Sequence, residues 1–168
     1  MTLRATPISD ETFHPFGMLV PRPDEAGRTW LDPMIDSNDG TARLRASLSV
    51  IDPVTPPIMV PRMERHPHSA QMFLPLAVAR YLVVVAPDRG GAPDPAAARA
   101  FVVPGDLGIV YAVDQWHCPM QVLDSRGSFV VLMAMSGTGR DEVWADLPAP
   151  LRISPVNSSP SARPLSIP

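Results

Sequence analysis

Proline constrains the fold of this chain more than any other residue, because it occupies 22 of the 168 positions. Globular proteins contain about 5% proline. Helix interiors do not tolerate it, since proline lacks a backbone N–H donor and breaks the helix, whereas short strands and turns do. A disordered chain can also be proline-rich, but 45% hydrophobic and 18% charged residues favour a packed core here. The composition therefore predicts short strands joined by turns.

Short segments with strand character recur along the chain, separated by clusters of turn residues. In residues 43–50 the apolar side chains alternate with arginine and serine, which predicts a half-buried strand with Leu44, Leu48 and Val50 on its apolar face and Arg43 and Arg45 on the other. Many such strands indicate an all-β sandwich or barrel. The other predicted strands cover residues 18–20, 58–65, 70–74, 80–86, 100–103, 108–113, 120–123 and 129–135.

The remaining segments are predicted as turns, loops and a tail. Ser9 is a suitable N-cap for one helical turn over residues 10–14. Residues 22–40 are predicted to form a long loop in which Trp30 and Met34 contact apolar surface. Residues 139–147 are predicted to form a closing helical turn. The sequence thus predicts one domain over residues 1–152 that contains a few short helical turns. A Ser/Pro-rich tail is predicted over residues 153–168.

Charge and hydropathy exclude several classes of partner. The net charge is −3, and no sustained basic stretch is present, which argues against nucleic acid as a partner. The longest apolar run, residues 81–86, is far shorter than the roughly 20 residues of a membrane helix. The N-terminus lacks the apolar core of a signal peptide, so a cytoplasmic location is expected. The single cysteine, Cys118, excludes an intrachain disulfide.

Three of the four histidines fall in two short segments, with His66 and His68 in residues 63–73 and His117 in residues 114–120. Glu64 and His66 are two apart, so on a strand they point to the same face, and Gln71 could reach back across a turn. We predict that Glu64, His66, Gln71 and His117 converge to bind a metal or transfer protons. Isolated histidines are more often ordinary surface or core polar residues, and His68 is assigned to a loop or rim.

Three other residues near these segments have two interpretations each, and Cys118 has one. Arg62 and Arg65 are ordinary surface charges or, since a guanidinium binds carboxylate bidentately, substrate-binding groups. Trp116 is a core residue or a platform for substrate. Cys118 is interpreted as a small buried hydrophobic residue, because only His117 lies close enough in sequence to lower its pKa.

Two segments, ERHPHSAQMFLPL (residues 64–76) and RAFVVPGDLGIVYAVDQWHCPM (residues 99–120), closely resemble the signature segments of the ureidoglycolate lyases, and FHPFGMLV (residues 13–20) resembles their opening segment. The resemblance spans residues 7–151. It implies a single cupin barrel, a double-stranded β-helix of the jelly-roll type. It also implies a carbon–nitrogen lyase of the amidine-lyase class that cleaves (S)-ureidoglycolate to glyoxylate and urea in allantoin and purine breakdown.

The resemblance also implies a set of site residues. Glu64, His66 and Gln71 take the places of the first cupin motif, and His117 falls in the second with Gly105 and Asp106. Glu64, His66 and His117 are the implied catalytic residues, and with Gln71 they are the candidate ligands of a divalent metal, Ni²⁺ or Mn²⁺. The candidate binding residues for a small carboxylate substrate are Arg62, Arg65, Gln71, Tyr111 and Trp116.

The chain departs from the family pattern at three positions, where Ala112 and Cys118 replace histidines and Asp114 replaces glycine or asparagine. These departures keep a second hypothesis open, namely a non-catalytic cupin that binds a small hydroxy- or keto-acid. A dioxygenase is a weaker third hypothesis, since the first motif lacks a complete triad of two histidines and a carboxylate. A homodimer is expected, because association can cover the strand edges of an open barrel.

Overall fold

The computed structural model of the chain describes residues 1–31, 35 and 37–154. Strands dominate, and the single α-helix of the described residues, α1 (Asp10–Phe13), is one turn long. Ser9 caps it as predicted. In chain order the strands are β1 (Thr2–Arg4), β2 (Thr6–Pro7), β3 (Gly17–Pro21), β4 (Arg43–Ile51), β5 (Ile58–Arg65), β6 (Gln71–Ala77), β7 (Arg80–Ala86), β8 (Asp88–Arg89), β9 (Ala92–Pro93), β10 (Arg99–Pro104), β11 (Leu107–Tyr111), β12 (Trp116–His117), β13 (Gln121–Leu123), β14 (Gly127–Met135) and β15 (Val143–Ser154).

Two sheets form a nearly closed, cupin-like β barrel, as the sequence predicts. The larger sheet has the order β1-β15-β5-β12-β7-β10-β2, with β13 also paired to β7, and the smaller sheet has the order β3-β11-β6-β14-β4. Between them lies an inner cluster of apolar side chains, which includes Phe73, Tyr111 and Phe129. An outer cluster covers the opposite face of the larger sheet and includes Trp116 and Leu151.

Strand β7 shows why the longest apolar run of the sequence belongs in the centre of the larger sheet. Tyr81, Val83 and Val85 point into the inner cluster. Leu82 and Val84, which alternate with them, point into the outer cluster. Because both faces of β7 are buried, it needs apolar residues at every position rather than at every second one.

Strand β4 is present over the predicted residues, but its predicted orientation is wrong. Leu44, Leu48 and Val50 are exposed, and Leu48 retains 76% of its accessible surface. Arg45 pairs with Met133 and Ser49 with Phe129. Residues that pair directly opposite each other project to the same face, and Phe129 belongs to the inner cluster. The arginine and serine side chains therefore lie on the inner face, and the apolar side chains point outward.

Two further predictions need correction. Residues 139–147 do not form a helical turn, because Val143–Ser154 is the long strand β15, which pairs with β5 and β1. Trp30 is exposed, so its predicted apolar contact is wrong, whereas Met34 lies outside the described residues. Residues 153 and 154 complete β15, and the rest of the predicted tail also lies outside the described range. No helix in the described part of the chain is long and apolar enough to span a membrane.

Gly105, in the turn between β10 and β11, has no room for a side chain. A Cβ atom there would lie 1.8 Å from the carbonyl oxygen of Val78. We expect Gly105→Ala to lower the free energy of unfolding by about 1–3 kcal/mol, the usual cost of overpacking. Urea denaturation measures this. Gly40→Ala is the control, because nothing lies within 4 Å of its Cβ position; equal stabilities for the two variants would contradict the steric argument.

Candidate active site

Glu64, His66 and His117 meet inside the barrel. Glu64 pairs with His117 across β5 and β12, and Val85 of the inner cluster continues this row on β7, so the row faces inward. The ring of His66, which directly follows β5, has its centroid 5.4 Å from that of His117. The nearest ligand atoms of the three residues all lie within 4.8 Å of one another. The two histidine segments noted in the sequence therefore form one cluster.

Main-chain carbonyl groups set the tautomer of both histidines. Nδ1 of His66 lies 2.9 Å from the carbonyl oxygen of Asp141, and Nδ1 of His117 lies 2.8 Å from that of Gln115. A carbonyl oxygen only accepts hydrogen bonds, so each Nδ1 carries a proton, and in the neutral ring the lone pair is on Nε2. Both Nε2 atoms are buried and have no hydrogen-bond partner among the described residues.

Burial keeps the His66 imidazole available as a base or ligand. Desolvation lowers the pKa of His66, and the neighbouring His117 lowers it further. His66 is therefore neutral at pH 7. Nε2 of His117 lies 3.6 Å from Oε1 of Glu64, so the carboxylate would stabilise a proton or a cation placed between them.

Tyr111 and Gln71 extend the polar site along the smaller sheet. Tyr111 pairs with Gln71 across β11 and β6, and its ring stacks on His117 with centroids 4.0 Å apart. The Tyr111 hydroxyl and the Gln71 amide oxygen are both buried and lack hydrogen-bond partners in the described part of the chain. Burial raises the pKa of Tyr111 well above its usual value, so its hydroxyl can only donate or accept a hydrogen bond near neutral pH.

These unpartnered atoms fit a divalent cation. Each unsatisfied buried polar atom costs about 1–3 kcal/mol. Two neutral imidazole nitrogens and a carboxylate are a donor set that Zn²⁺, Ni²⁺ or Mn²⁺ accepts, and an amide oxygen can add a fourth ligand. Glu64, His66 and His117 could thus hold a metal ion. Gln71, whose amide oxygen is unused, pairs with Tyr111, and the Tyr111 ring stacks on His117.

Arg65 does not join this cluster, because it lies on the outer face of the larger sheet. Its Nη1 atom donates hydrogen bonds to Asp88 (3.1 Å) and Asp114 (3.3 Å). The guanidinium stacks on Trp116, 4.5 Å from the ring centroid, and the indole N–H of Trp116 donates to Asp88 at 2.9 Å. Trp116 is buried in the outer cluster. The structure therefore places Arg65 and Trp116, two of the predicted substrate-binding residues, on the opposite face of the larger sheet from Glu64 and His117.

This arrangement instead holds the turn that precedes His117. The backbone N–H of Asp114 donates to the carbonyl oxygen of His66 at 2.9 Å. Asp114 has a φ of 64°, in the left-handed region where aspartate is among the few tolerated side chains. Arg65 thus links the end of β5 to the turn before β12, and both strands carry site residues.

Arg62 lies on the same face as Glu64. Arg62 pairs with Asp146 and Glu64 pairs with Trp144 in a regular part of the β5–β15 ladder. Its Nε atom lies 3.4 Å from Oδ1 of Asp146, and its guanidinium stacks on Trp144, 4.7 Å from the ring centroid. Arg62 therefore lies on the face of the sheet that carries Glu64, but it already has an acidic partner. His68, assigned to the rim, contacts Asn38 instead of the cluster.

The loop that orients His66 was not predicted from the sequence. The Asp141 carboxylate accepts hydrogen bonds from the backbone N–H groups of Ser136 and Gly137 at 2.7 and 2.9 Å, and these bonds hold its pKa below the usual range. The loop so closed presents the Asp141 carbonyl oxygen to Nδ1 of His66. The spacing of Ser136, Gly137 and Asp141 could have indicated this loop, since short polar side chains commonly close such turns by bonding to the backbone.

Of the two positions where the resemblance implies histidine, one lies in the outer cluster and the other is on the surface. Cys118 packs in the outer cluster beside Trp116, and Ala112 is exposed. Burial raises the pKa of the Cys118 thiol to about 12, so it stays protonated near neutral pH. The replacements at these positions therefore remove no group from the Glu64, His66 and His117 cluster.

The fold and the site together define a class: cupin-like barrels that present histidine and carboxylate side chains in their interior. Residues 1–153 match the family model described as "Ureidoglycolate lyase". The chain therefore belongs to the ureidoglycolate lyase family, and the resemblance noted in the sequence is confirmed.

Curated relatives agree with this assignment. A ureidoglycolate lyase of Burkholderia cepacia is 36% identical over 147 residues, covering 77% of this chain and 78% of the relative. One of Pseudomonas aeruginosa (strain LESB58) is 32% identical over 156 residues, covering 83% and 87%. One of Brucella melitensis biotype 2 is 33% identical over 140 residues, covering 78% and 82%.

The environment of Cys118 has a chemical consequence that can be measured. Because burial raises its thiol pKa from 9.0 to about 12, the thiolate fraction at pH 8 is roughly a thousandfold below that of an unfolded chain. We expect the native protein to react with DTNB at least about 100-fold more slowly than the protein in urea. Cys118 is the only cysteine, so no other thiol contributes. Rapid reaction of the native protein would mean that Cys118 is accessible.

Proposed function

We propose that this protein is a lyase that cleaves (S)-ureidoglycolate into glyoxylate and urea. One observation carries the proposal: two buried imidazoles with free Nε2 atoms lie beside Glu64 in a chain of the ureidoglycolate lyase family. The finer class, an amidine-lyase in allantoin breakdown, is part of this proposal and rests on the family resemblance of residues 64–76 and 99–120.

The proposed reaction requires two proton movements. The substrate carbon carries a carboxylate, a hydroxyl group and the urea nitrogen. When the hydroxyl loses its proton, its electron pair forms the carbonyl group of glyoxylate, the carbon–nitrogen bond breaks, and the urea nitrogen gains a proton. The site must therefore supply a base for the hydroxyl and an acid for the leaving nitrogen, each worth about 10²–10⁴-fold when well placed.

The chain offers groups for each role. His117 has a free Nε2 lone pair, and Glu64 at 3.6 Å would stabilise the imidazolium that forms when it takes the hydroxyl proton. The His117 imidazolium can then give that proton to the leaving nitrogen, and the Nε2 lone pair of His66, which faces the same space, can accept a hydrogen bond from the substrate. The Tyr111 hydroxyl remains protonated, and together with the Gln71 amide it can bind the oxygen atoms of the substrate.

A divalent metal, Ni²⁺ or Mn²⁺, held by Glu64, His66, Gln71 and His117 would supply Lewis-acid polarisation of the substrate oxygens. Each imidazole Nε2 has one lone pair, so it serves either as a ligand or as a base. The metal dependence of turnover therefore decides between the two uses of the histidines.

Turnover of racemic ureidoglycolate tests the proposal. The assay measures glyoxylate release in the presence of EDTA and with added Ni²⁺ or Mn²⁺.

We expect His117→Ala to lower kcat by at least 10²-fold, because it removes a base or a ligand. Cys118→Ser should change kcat less than about tenfold, since the thiol faces the outer cluster. Ala112→His should leave activity unchanged or raise it.

Two results would contradict the proposal. Binding of glyoxylate without any turnover by the wild-type protein would favour the second hypothesis, a cupin that binds a small keto-acid without catalysis. Equal damage from Cys118→Ser and His117→Ala would mean that the thiol is a ligand or nucleophile, and that the site is not the one described.

We also propose that the protein is a homodimer whose contact uses the outer face of β4. Leu44, Leu48 and Val50 expose apolar surface there, and β4 is an edge strand of the smaller sheet. A long apolar edge strand is a liability unless another chain covers it. A second copy of this chain can cover the outer face of β4 without any other protein. In a two-fold symmetric dimer, the outer faces of β4 from the two copies would contact each other.

Light scattering of the wild-type protein at micromolar concentration should give about twice the 18.2 kDa monomer mass. Leu48→Glu should give the monomer mass, because a buried unpaired carboxylate opposes association. Met59→Glu, at an exposed methionine on β5 in the other sheet, is the control and should leave the dimer intact. A monomeric wild-type protein, or a dimeric Leu48→Glu variant, would overturn this proposal.

A further inference from the structure

We propose that Arg45, on the inner face of β4, is the residue that binds the carboxylate of the substrate. The inference builds on the lyase activity proposed above and names the specificity determinant of the same site. It starts from the strand registers of the smaller sheet, which place Arg45 in the same transverse row as two polar site residues.

The row is continuous across four strands. Tyr111 pairs with Gln71 across β11 and β6, Gln71 pairs with Met133 across β6 and β14, and Met133 pairs with Arg45 across β14 and β4. Residues that pair directly opposite each other share a face. Tyr111 belongs to the inner cluster, so the whole row, Arg45 included, lies on the inner face.

Two neighbouring side chains of the row, those of Gln71 and Met133, are in contact. The Gln71 amide N–H group donates to the Met133 sulfur at 3.6 Å, which leaves the amide oxygen without a partner within the described residues. The Arg45 backbone lies two strand spacings, about 10 Å, from that of Gln71. An arginine side chain bridges much of this distance, so its guanidinium can approach a ligand that also contacts Gln71.

Arg45 is also uncommitted, unlike the other two arginines considered for this role. Arg65 lies on the opposite face of its sheet, bound to two aspartates. Arg62 is on the inner face but is paired with Asp146 and stacked on Trp144. Arg45 is exposed, and it makes no hydrogen bond or ion pair with any residue that the structure describes.

The negative charges of Glu64 and of the substrate explain why a cation at position 45 would help binding. An anionic substrate that approaches His117 also approaches Glu64, whose carboxylate lies 3.6 Å from Nε2 of His117, and the like charges repel. A guanidinium at the β4 edge offsets this repulsion, and its planar fork binds a carboxylate bidentately. It would hold the carboxylate toward β4 and leave the hydroxyl and urea nitrogen facing the histidines.

The test separates carboxylate recognition from turnover. We expect Arg45→Met to raise KM for ureidoglycolate and the inhibition constants of glyoxylate and oxalate at least about tenfold, with a smaller effect on kcat. Arg45→Lys should lie between Arg45→Met and wild type, since lysine keeps the charge but not the fork. Inhibition by urea, which has no carboxylate, should not change.

Arg126→Met is the matched control. It removes the same charge from an exposed arginine that pairs with Asp52, and it should leave KM and glyoxylate inhibition unchanged. Direct titration calorimetry with glyoxylate and oxalate gives the dissociation constants without requiring turnover, so carboxylate binding is measured even if ureidoglycolate is not the substrate.

The outcomes distinguish this inference from the proposed function. If the wild-type protein turns over ureidoglycolate and Arg45→Met binds glyoxylate and oxalate equally well, the role of Arg45 is wrong and the lyase activity stands. If the wild-type protein binds these carboxylates without turnover and Arg45→Met does not bind them, Arg45 is the carboxylate anchor and the lyase proposal is wrong. If the wild-type protein binds neither carboxylate and does not turn over ureidoglycolate, both proposals are wrong.

Discussion

The burial of both faces of the larger sheet is the constraint on which the rest of this structure depends. Strand β7 carries alternate residues into the inner and outer clusters, and β12 pairs beside it. Neighbouring residues on β12 must therefore lie on opposite sides, with His117 toward the barrel interior and Trp116 toward the outer cluster. This alternation decides which polar residues can share a site and which serve packing.

The site is built from buried polar atoms that the protein leaves without partners. Main-chain carbonyls engage Nδ1 of both histidines, while their Nε2 atoms and the Gln71 amide oxygen remain unsatisfied. Such atoms are costly in a folded protein unless a ligand, ion or substrate satisfies them. The Asp141 loop and the Arg65 arrangement hold these atoms in place from outside the cluster, so their contribution is to position and not to contact substrate.

Strand β4 shows how a site can reverse the usual orientation of an amphipathic strand. Its inner face borders the polar site at the open side of the barrel, where arginine and serine are solvated and can meet an anionic ligand. Its outer face carries Leu44, Leu48 and Val50, which are exposed in the single chain. With the opposite orientation, leucine in place of arginine would stand in the row that β4 shares with Gln71 and Tyr111.

The sequence by itself determined the all-β fold, most strand positions, the family and the two histidine segments, because proline density, period-two alternation and local motifs are properties of neighbouring residues. The residues from 139 to 147 were misassigned, since the pairing of β15 with β5 joins segments about 80 positions apart. The alternation of side chains along a strand also predicted that Arg45 and Leu48 lie on opposite faces of β4. Only the tertiary structure decided which of those faces is inside, because that depends on the strands and the sheet against which β4 packs.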